Sequence, residues 1–415
     1  MNIPVLQQQV EEWVHWLAAY GADPAGGVTR LLYTASWAEA QQALEQKMKE
    51  NGLDTYYDEA GNLYGRLASA DAEEGTILTG SHVDTVKRGG KYDGAFGIVA
   101  GLLALRYLKE NYGPPARNIE MVSLCEEEGS RFPLTFWGST NITGTAPFHK
   151  IKQIRDEKGI SFVEAMNEAG FGLGRYRNPR REDIVSFIEL HIEQGAILER
   201  ESIPIGIVEQ IVGQKRYSIS CIGEANHAGT TPMAWRADAL RGASEMIVAI
   251  MDAADRVGAP LVATAGKIEA EPNVSNVIPN KTTFTLDIRH PQGDALDAFC
   301  EASIAACDTI ARNRGLRLQV EKQLDARPID MDAALARRIE AICREQGLSY
   351  KRMPSGAGHD AQIMAGQYPS SLIFVPSHRG LSHHPAEYTA EKDLAAGVRV
   401  LIQLLYELGY EKEAK

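Results

Sequence analysis

Apolar positions recur at helical spacing over residues 4–17 and again over 38–48, which predicts two helices that each bury one face. A turn-rich segment separates them, Gly21-Ala22-Asp23-Pro24-Ala25-Gly26-Gly27-Val28-Thr29-Arg30. Short β-branched and apolar runs at 61–67, 76–80 and 119–124 then read as strands, and a Gly- and Ala-rich apolar stretch over 96–110 reads as a helix. A long connection at 151–181 holds a helix and closes in a basic, polar run. The apolar strand 184–190 follows and delivers His191. Alternation of this kind predicts a sheet covered by helices.

Near Gly213 the pattern changes. Residues 217–222 and 283–288 alternate as half-buried strands, 236–257 and 294–314 have amphipathic helical spacing, and 316–323 reads as one more strand. Two helices over a small antiparallel sheet make a second, α+β domain. After Arg327-Pro328 the helix–strand alternation resumes, with a strand at 371–375 and a closing helix at 391–408. The expected fold class is α/β, with a larger domain in two pieces, 1–212 and 327–415, around a smaller α+β domain inserted at 213–326.

Composition narrows the function classes. A chain of 415 residues is too long for one ordinary core, and 44% hydrophobic with 24% charged residues is the balance of a folded protein. A formal charge of −12 argues against nucleic acid or an anionic membrane as partner. No apolar run approaches the roughly 20 residues that cross a bilayer. Met1-Asn2-Ile3-Pro4 begins no basic stretch leading into an apolar one, so the cytoplasm is the expected compartment. The five cysteines are odd in number, scattered and without a Cys-x-x-Cys pair, as expected of small buried hydrophobes in a reducing compartment. Cys125 abuts a glutamate triplet, but no base is placed to activate it, and it reads as strand-end packing.

The chemistry concentrates where predicted strands end. His82 and Asp84, in Gly80-Ser81-His82-Val83-Asp84-Thr85-Val86, are two apart on extended chain and point the same way. A carboxylate there can hold one imidazole nitrogen while the other binds a metal. Asp93 precedes Gly94 at a helix start, either as a plain N-cap or as a carboxylate bridging two cations. The glycines around it, which let backbone approach closely, favour the bridge. Glu126-Glu127-Glu128 follows a strand directly, and a metal hydrolase needs one carboxylate as ligand and a neighbour as general base. Spacing does not say which is which. His191 lies between Glu189 and Glu193, too polar a setting for a plain core histidine. His383 and His384 point apart, so one of them reaches a given metal. His82, Asp93, a glutamate, His191 and one late histidine make two sites of mixed N and O ligands, suited to zinc or manganese. Their expected separation is about 3.5–4 Å, and the reading is a two-metal hydrolase.

Gly26-Gly27-Val28-Thr29-Arg30, Asp58-Glu59-Ala60-Gly61-Asn62-Leu63, Glu127-Glu128-Gly129-Ser130-Arg131-Phe132 and His191-Ile192-Glu193-Gln194-Gly195 carry a resemblance that runs through essentially the whole chain. It is to the M20 metallohydrolases, in the branch of allantoate amidohydrolases and N-carbamoyl-L-amino acid hydrolases. The resemblance implies a di-metal catalytic domain with an inserted lid domain that makes a homodimer. It implies His82 and His191 as ligands of one Mn²⁺ or Zn²⁺ ion, Asp93 as the bridge, and Glu128 and His383 as ligands of the second. Glu127 is then the general base, and Asp84 orients His82. His227, in Asn226-His227-Ala228-Gly229-Thr230-Thr231-Pro232, resembles a lid histidine that serves the partner subunit's site. Gln214, Asn276, Arg289 and Gly358 match substrate-binding positions. The implied reaction is hydrolysis of a ureido C–N bond in a small ureido carboxylate. Arg30-Leu31-Leu32-Tyr33-Thr34 and the run from Cys125 to Gly138 favour allantoate, with an N-carbamoyl-L-amino acid as the alternative.

Overall fold

The computed structural model describes residues 2–69 and 75–411. The chain forms two compact units, Met1–Glu209 with Asp330–Lys415, and Gln210–Ile329.

The first unit is built on a nine-stranded sheet. Its path runs Asp54–Tyr57, Leu63–Leu67, Asn118–Leu124, Thr76–His82, Ile184–Ile192, Ser370–Val375, Ile205–Ile211 and Ile329–Asp330, with Tyr350–Ser355 pairing Ile205–Ile211 off that path. The four strands from Asn118–Leu124 to Ser370–Val375 are mutually parallel. Nearly every residue in them is buried, because helices cover both faces, and this is why they read as continuous apolar runs without alternation. Their shared direction has a chemical consequence. His82, Cys125 and His191 all fall at or just past the same carboxyl edge, where open α/β sheets place their ligands.

The helix Ala95–Tyr112 is buried almost all round, between the sheet and the helices Ile3–Ala18 and Glu391–Tyr410. Its glycines let it approach the sheet: a Cβ at Gly97 would stand 2.5 Å from the Leu190 carbonyl oxygen and 2.7 Å from Ser81 Cβ. Gly97→Ala is therefore expected to overpack this seam and lower the stability by about 1–3 kcal/mol, read as a lower urea midpoint. An unchanged midpoint would mean that the helix can shift away at no cost.

In the second unit every strand pairing is antiparallel: Arg317–Ala326, Gly213–Ile222 and Lys281–His290 in order, with Val262–Thr264 and Ile268–Glu271 both on the far side of Lys281–His290. Burial alternates strictly along Lys281–His290, as it must when helices cover only one face. Tyr217, Ile219, Cys221, Phe284, Leu286 and Ile288 form the core with the helices Ala239–Val257 and Gly293–Asn313. The opposite face is polar, and Gln214, Arg216, Asp287 and Arg289 sit together at one end of it. Among the described residues no helix is long and apolar enough to cross a membrane.

Candidate metal centre and active site

His82 ends its strand fully enclosed. Its Nδ1 lies 3.1 Å from the Asp84 carbonyl oxygen and 3.4 Å from Asp84 Oδ1, and its Nε2 lies 3.5 Å from Asp93 Oδ1. The carbonyl is thus the nearer acceptor. The Asp84 carboxylate is occupied chiefly by the backbone N–H groups of Glu127 and Glu128, at 3.0 and 3.1 Å. His191 repeats the arrangement. Nδ1–H donates to the Ile192 carbonyl at 2.9 Å, and Nε2 lies 3.2 Å from Asp93 Oδ1 and accepts from the Gly94 N–H at 3.0 Å. In both rings Nδ1 faces a backbone carbonyl and Nε2 faces Asp93, the orientation that would present Nε2 to a cation.

Asp93 looks two ways. Oδ1 faces His82 and His191, while Oδ2 lies 3.2 Å from His383 Nε2. His383 Nε2 is also 3.1 Å from Glu128 Oε1. Two clusters with ligand atoms within 4.8 Å of one another therefore share one carboxylate: His82, Asp93 and His191, and Asp93, Glu128 and His383. The groupings His82, Glu127 and Glu128, and Glu189, His191 and His359, meet the same distance.

Backbone geometry separates the adjacent residues that spacing could not. His383 is left-handed, φ 55°, which swings its ring toward Asp93 and Glu128. His384 is exposed, and its Nδ1 accepts the Ala386 N–H at 3.0 Å. Glu126 is buried with Oε1 on the Gly129 N–H, so it closes the turn, while Glu127 and Glu128 face His82.

The electrostatics are those of a surplus of carboxylates. Desolvation and Asp84 push the Glu126 carboxyl well above its usual range, and desolvation and Glu128 do the same to Glu127. Desolvation raises the Glu128 carboxyl as well, although His383 works against it. His383 is pushed up to about 10 by Asp93 and Glu128. Carboxylates that repel one another, with imidazole nitrogens converging beside them, fit divalent cations, whose charge would relieve the repulsion. Cys125 is buried, and desolvation holds its thiol far above the normal value, so no thiolate is available for catalysis.

Residues 78–407 match the family Peptidase M20/M25/M40. The chain belongs to the M20 family. It is 47% identical over 405 residues to an allantoate amidohydrolase of Bacillus subtilis, covering 98% of each chain. It is 46% identical over 406 residues to an allantoate amidohydrolase of Escherichia coli, covering 98% of this chain and 99% of that one. Among solved structures it resembles an amidase of the hydantoinase/carbamoylase family from Burkholderia multivorans, with TM-score 0.90, 32% identity and 98% of both chains covered.

In this M20 chain the other sequence-predicted residues lie apart from the histidine cluster in sequence. Gly358 is half-exposed beside Phe136, whose Cζ a Cβ at 358 would meet at 3.1 Å. Gln214, His227, Asn276 and Arg289 belong to the second unit. Gln214 Nε2 and Arg289 Nε both donate to the Asp287 carboxylate, at 2.6 and 3.0 Å. Asn276 is exposed, and its carbonyl accepts the Ala228 N–H. His227 is exposed, and its Nδ1 accepts the Gly229 N–H at 3.0 Å, which puts the proton of the neutral ring on Nε2. The Arg236 guanidinium holds that loop through the Ala228 and Thr231 carbonyls.

Sequence reasoning passed over several residues. Gln194 and Ser382 donate to Asp93 Oδ2 at 3.0 and 3.1 Å. His359 packs its buried ring 4.5 Å from that of His191, and Nε2 has no hydrogen-bond partner among the described residues. Burial pushes this imidazole well below its usual range. Asn62 accepts the Cys125 N–H at 2.9 Å and donates to the Gly138 carbonyl, while Trp37 donates to the Cys125 carbonyl. The peptide before the glutamate turn is thus gripped at both ends. Asn62 lies in the Asp58–Leu63 motif of the family resemblance, and His359 follows Gly358, one of its matched positions. Gln194 lies in the His191–Gly195 motif, and its direction toward Asp93 is set by the fold and not by the motif.

Proposed function

We propose that this M20 protein hydrolyses a ureido C–N bond of allantoate, giving ureidoglycine, ammonia and carbon dioxide, as a cytoplasmic homodimer with two divalent cations per subunit. The observation that carries the reading is Asp93, whose two oxygens face two different ligand sets. His82, Asp93 and His191 would hold one Mn²⁺ or Zn²⁺ ion, and Asp93, Glu128 and His383 the other. Bound there, the cations supply Lewis-acid polarisation of the carbamoyl oxygen and a more acidic water.

The protein's own groups do the rest. Glu127 takes a proton from the attacking water, its basicity raised by desolvation and by Glu128. The C–N bond then breaks, Glu127 returns the proton to the departing nitrogen, and the carbamic acid left behind releases carbon dioxide. His227 of the partner subunit donates its Nε2–H to the developing oxyanion. Arg289 takes the substrate carboxylate through its planar fork of donors, with Gln214, Asn276 and Gly358 completing the contacts.

Identity of 46–47% to allantoate amidohydrolases, against 36% to an N-carbamoyl-L-amino acid amidohydrolase of Geobacillus stearothermophilus, supports allantoate over an N-carbamoyl-L-amino acid. The test is ammonia release from allantoate and from N-carbamoyl-L-amino acids side by side, with manganese-loaded and chelator-treated protein. Rapid release from allantoate alone, lost on chelation, is expected. Preference for carbamoyl amino acids would overturn the substrate, and chelator-resistant turnover would overturn the cation chemistry.

A further inference from the structure

We infer that Glu387 is a positioning residue that keeps the second cation site in its binding shape, by clasping together the two loops that carry Asp93 and His383. The inference rests on the two-cation reading above. Glu387 is a carboxylate only 3% exposed, and it belongs to neither ligand cluster. Its Oε1 accepts the backbone N–H groups of Tyr92 and Asp93, at 2.8 and 3.1 Å. Its Oε2 lies 3.0 Å from Ser382 Oγ, which is also 3.1 Å from Asp93 Oδ2, so the hydroxyl stands between the two carboxylates with one proton to give. Burying a charge is costly unless its oxygens are satisfied, and here every donor comes from the two loops that need to be joined.

Two further observations show that the chain makes room for this clasp and that the loop it would hold carries a strained residue. A Cβ at Gly90 would stand 2.0 Å from the Glu387 carboxyl carbon. Gly90 is buried and lies outside the positive-φ set, so it is there for space and not for backbone freedom. His383 is held at φ 55°, a conformation that costs a non-glycine residue energy and persists only where its surroundings impose it. The two clusters differ in what supports them. His82 and His191 lie within strands of the central sheet, whereas His383 lies on a loop. Loss of the clasp should therefore weaken the second site far more than the first, which shares Asp93 but carries both of its imidazoles on the sheet.

The experiment is titration of chelator-stripped, full-length protein with Mn²⁺ by calorimetry, with circular dichroism and thermal unfolding of each apo variant. Wild type is expected to bind two equivalents. Glu387→Ala is expected to lose roughly 10–100-fold in the second affinity, the usual effect of removing a support behind metal ligands, and much less in the first. Glu387→Gln keeps a carbonyl oxygen for the Tyr92 and Asp93 N–H groups and should restore most of the second affinity. Gly90→Ala should reproduce the alanine effect by displacing the carboxylate, and should add nothing in the Glu387→Ala background. Two undiminished equivalents in Glu387→Ala would overturn the inference. So would equal weakening of both sites with a lower apo melting temperature, or a glutamine variant as weak as alanine, which would make charge and not geometry the cause. A wild type that binds fewer than two equivalents would instead sink the two-cation reading itself.

Discussion

Glu127→Ala is expected to lower kcat by about 10²–10⁴-fold while both cations remain bound, the loss typical of removing a general base. The backbone at this position does not depend on the side chain. The Glu127 N–H is held by Asp84 Oδ1 at 3.0 Å, and its carbonyl accepts the Phe136 N–H at 3.0 Å. Truncation should therefore leave the turn, and Glu128 with it, in place. The competing assignment is that Glu127 is a ligand, because it groups with His82 and Glu128 within ligand distance. The two readings separate cleanly when metal content and turnover are measured together. A general base gives full metal content and no rescue by added manganese. If Glu127→Ala loses metal and recovers activity in manganese excess, the roles of Glu127 and Glu128 must be exchanged.

The central sheet was legible for a physical reason. Parallel strands buried on both faces read as unbroken apolar runs, so 76–80, 119–124, 184–190 and 371–375 stand out without any knowledge of the fold. Their ends were less legible. The strand Thr76–His82 runs two residues past Gly80 because His82 pairs with Leu124, and Ile184–Ile192 runs on because Ile192 pairs with Val375. Such partners are distant in sequence, so no local pattern announces them. The strand Asp54–Tyr57 escaped for a related reason: it lies at the sheet edge, is only partly buried, and its Asp-Thr-Tyr-Tyr run has no apolar alternation.

The candidate site divides in the same way. Histidines and carboxylates at strand ends announce cation chemistry, but which of two neighbours faces inward depends on single backbone angles and long-range hydrogen bonds. His383 against His384 is decided by a φ of 55°, and Glu126 against Glu128 by a bond back to the Gly129 N–H. Glu387 was the least legible of all. In Pro385-Ala386-Glu387-Tyr388 it reads as one more solvated loop charge, and only donors nearly 300 positions away make it a buried residue.

Arg289→Ala is expected to raise KM for the carboxylated substrate roughly 10–100-fold with little change in kcat, the range for losing hydrogen bonds to a charged group. The local structure gives Arg289 an orienting partner. Its Nε donates to Asp287 Oδ1 at 3.0 Å and its Nη2 to Oδ2 at 3.2 Å, with Gln214 and Arg216 on the same carboxylate. These partners hold the Asp287 carboxyl below its usual range, against the opposing effect of desolvation. That same pairing admits a plainer account, in which Arg289 merely completes an ion pair on the polar face of the second unit. A substrate in which a carboxamide replaces the carboxylate distinguishes them. If Arg289 binds substrate, the variant should match wild type on the amide and fall behind only on the acid. Arg289→Lys should recover the charge but not the paired donors, and so only part of the affinity. An unchanged KM on the acid would leave Arg289 in a structural role beside Asp287, and the substrate carboxylate would need another cation.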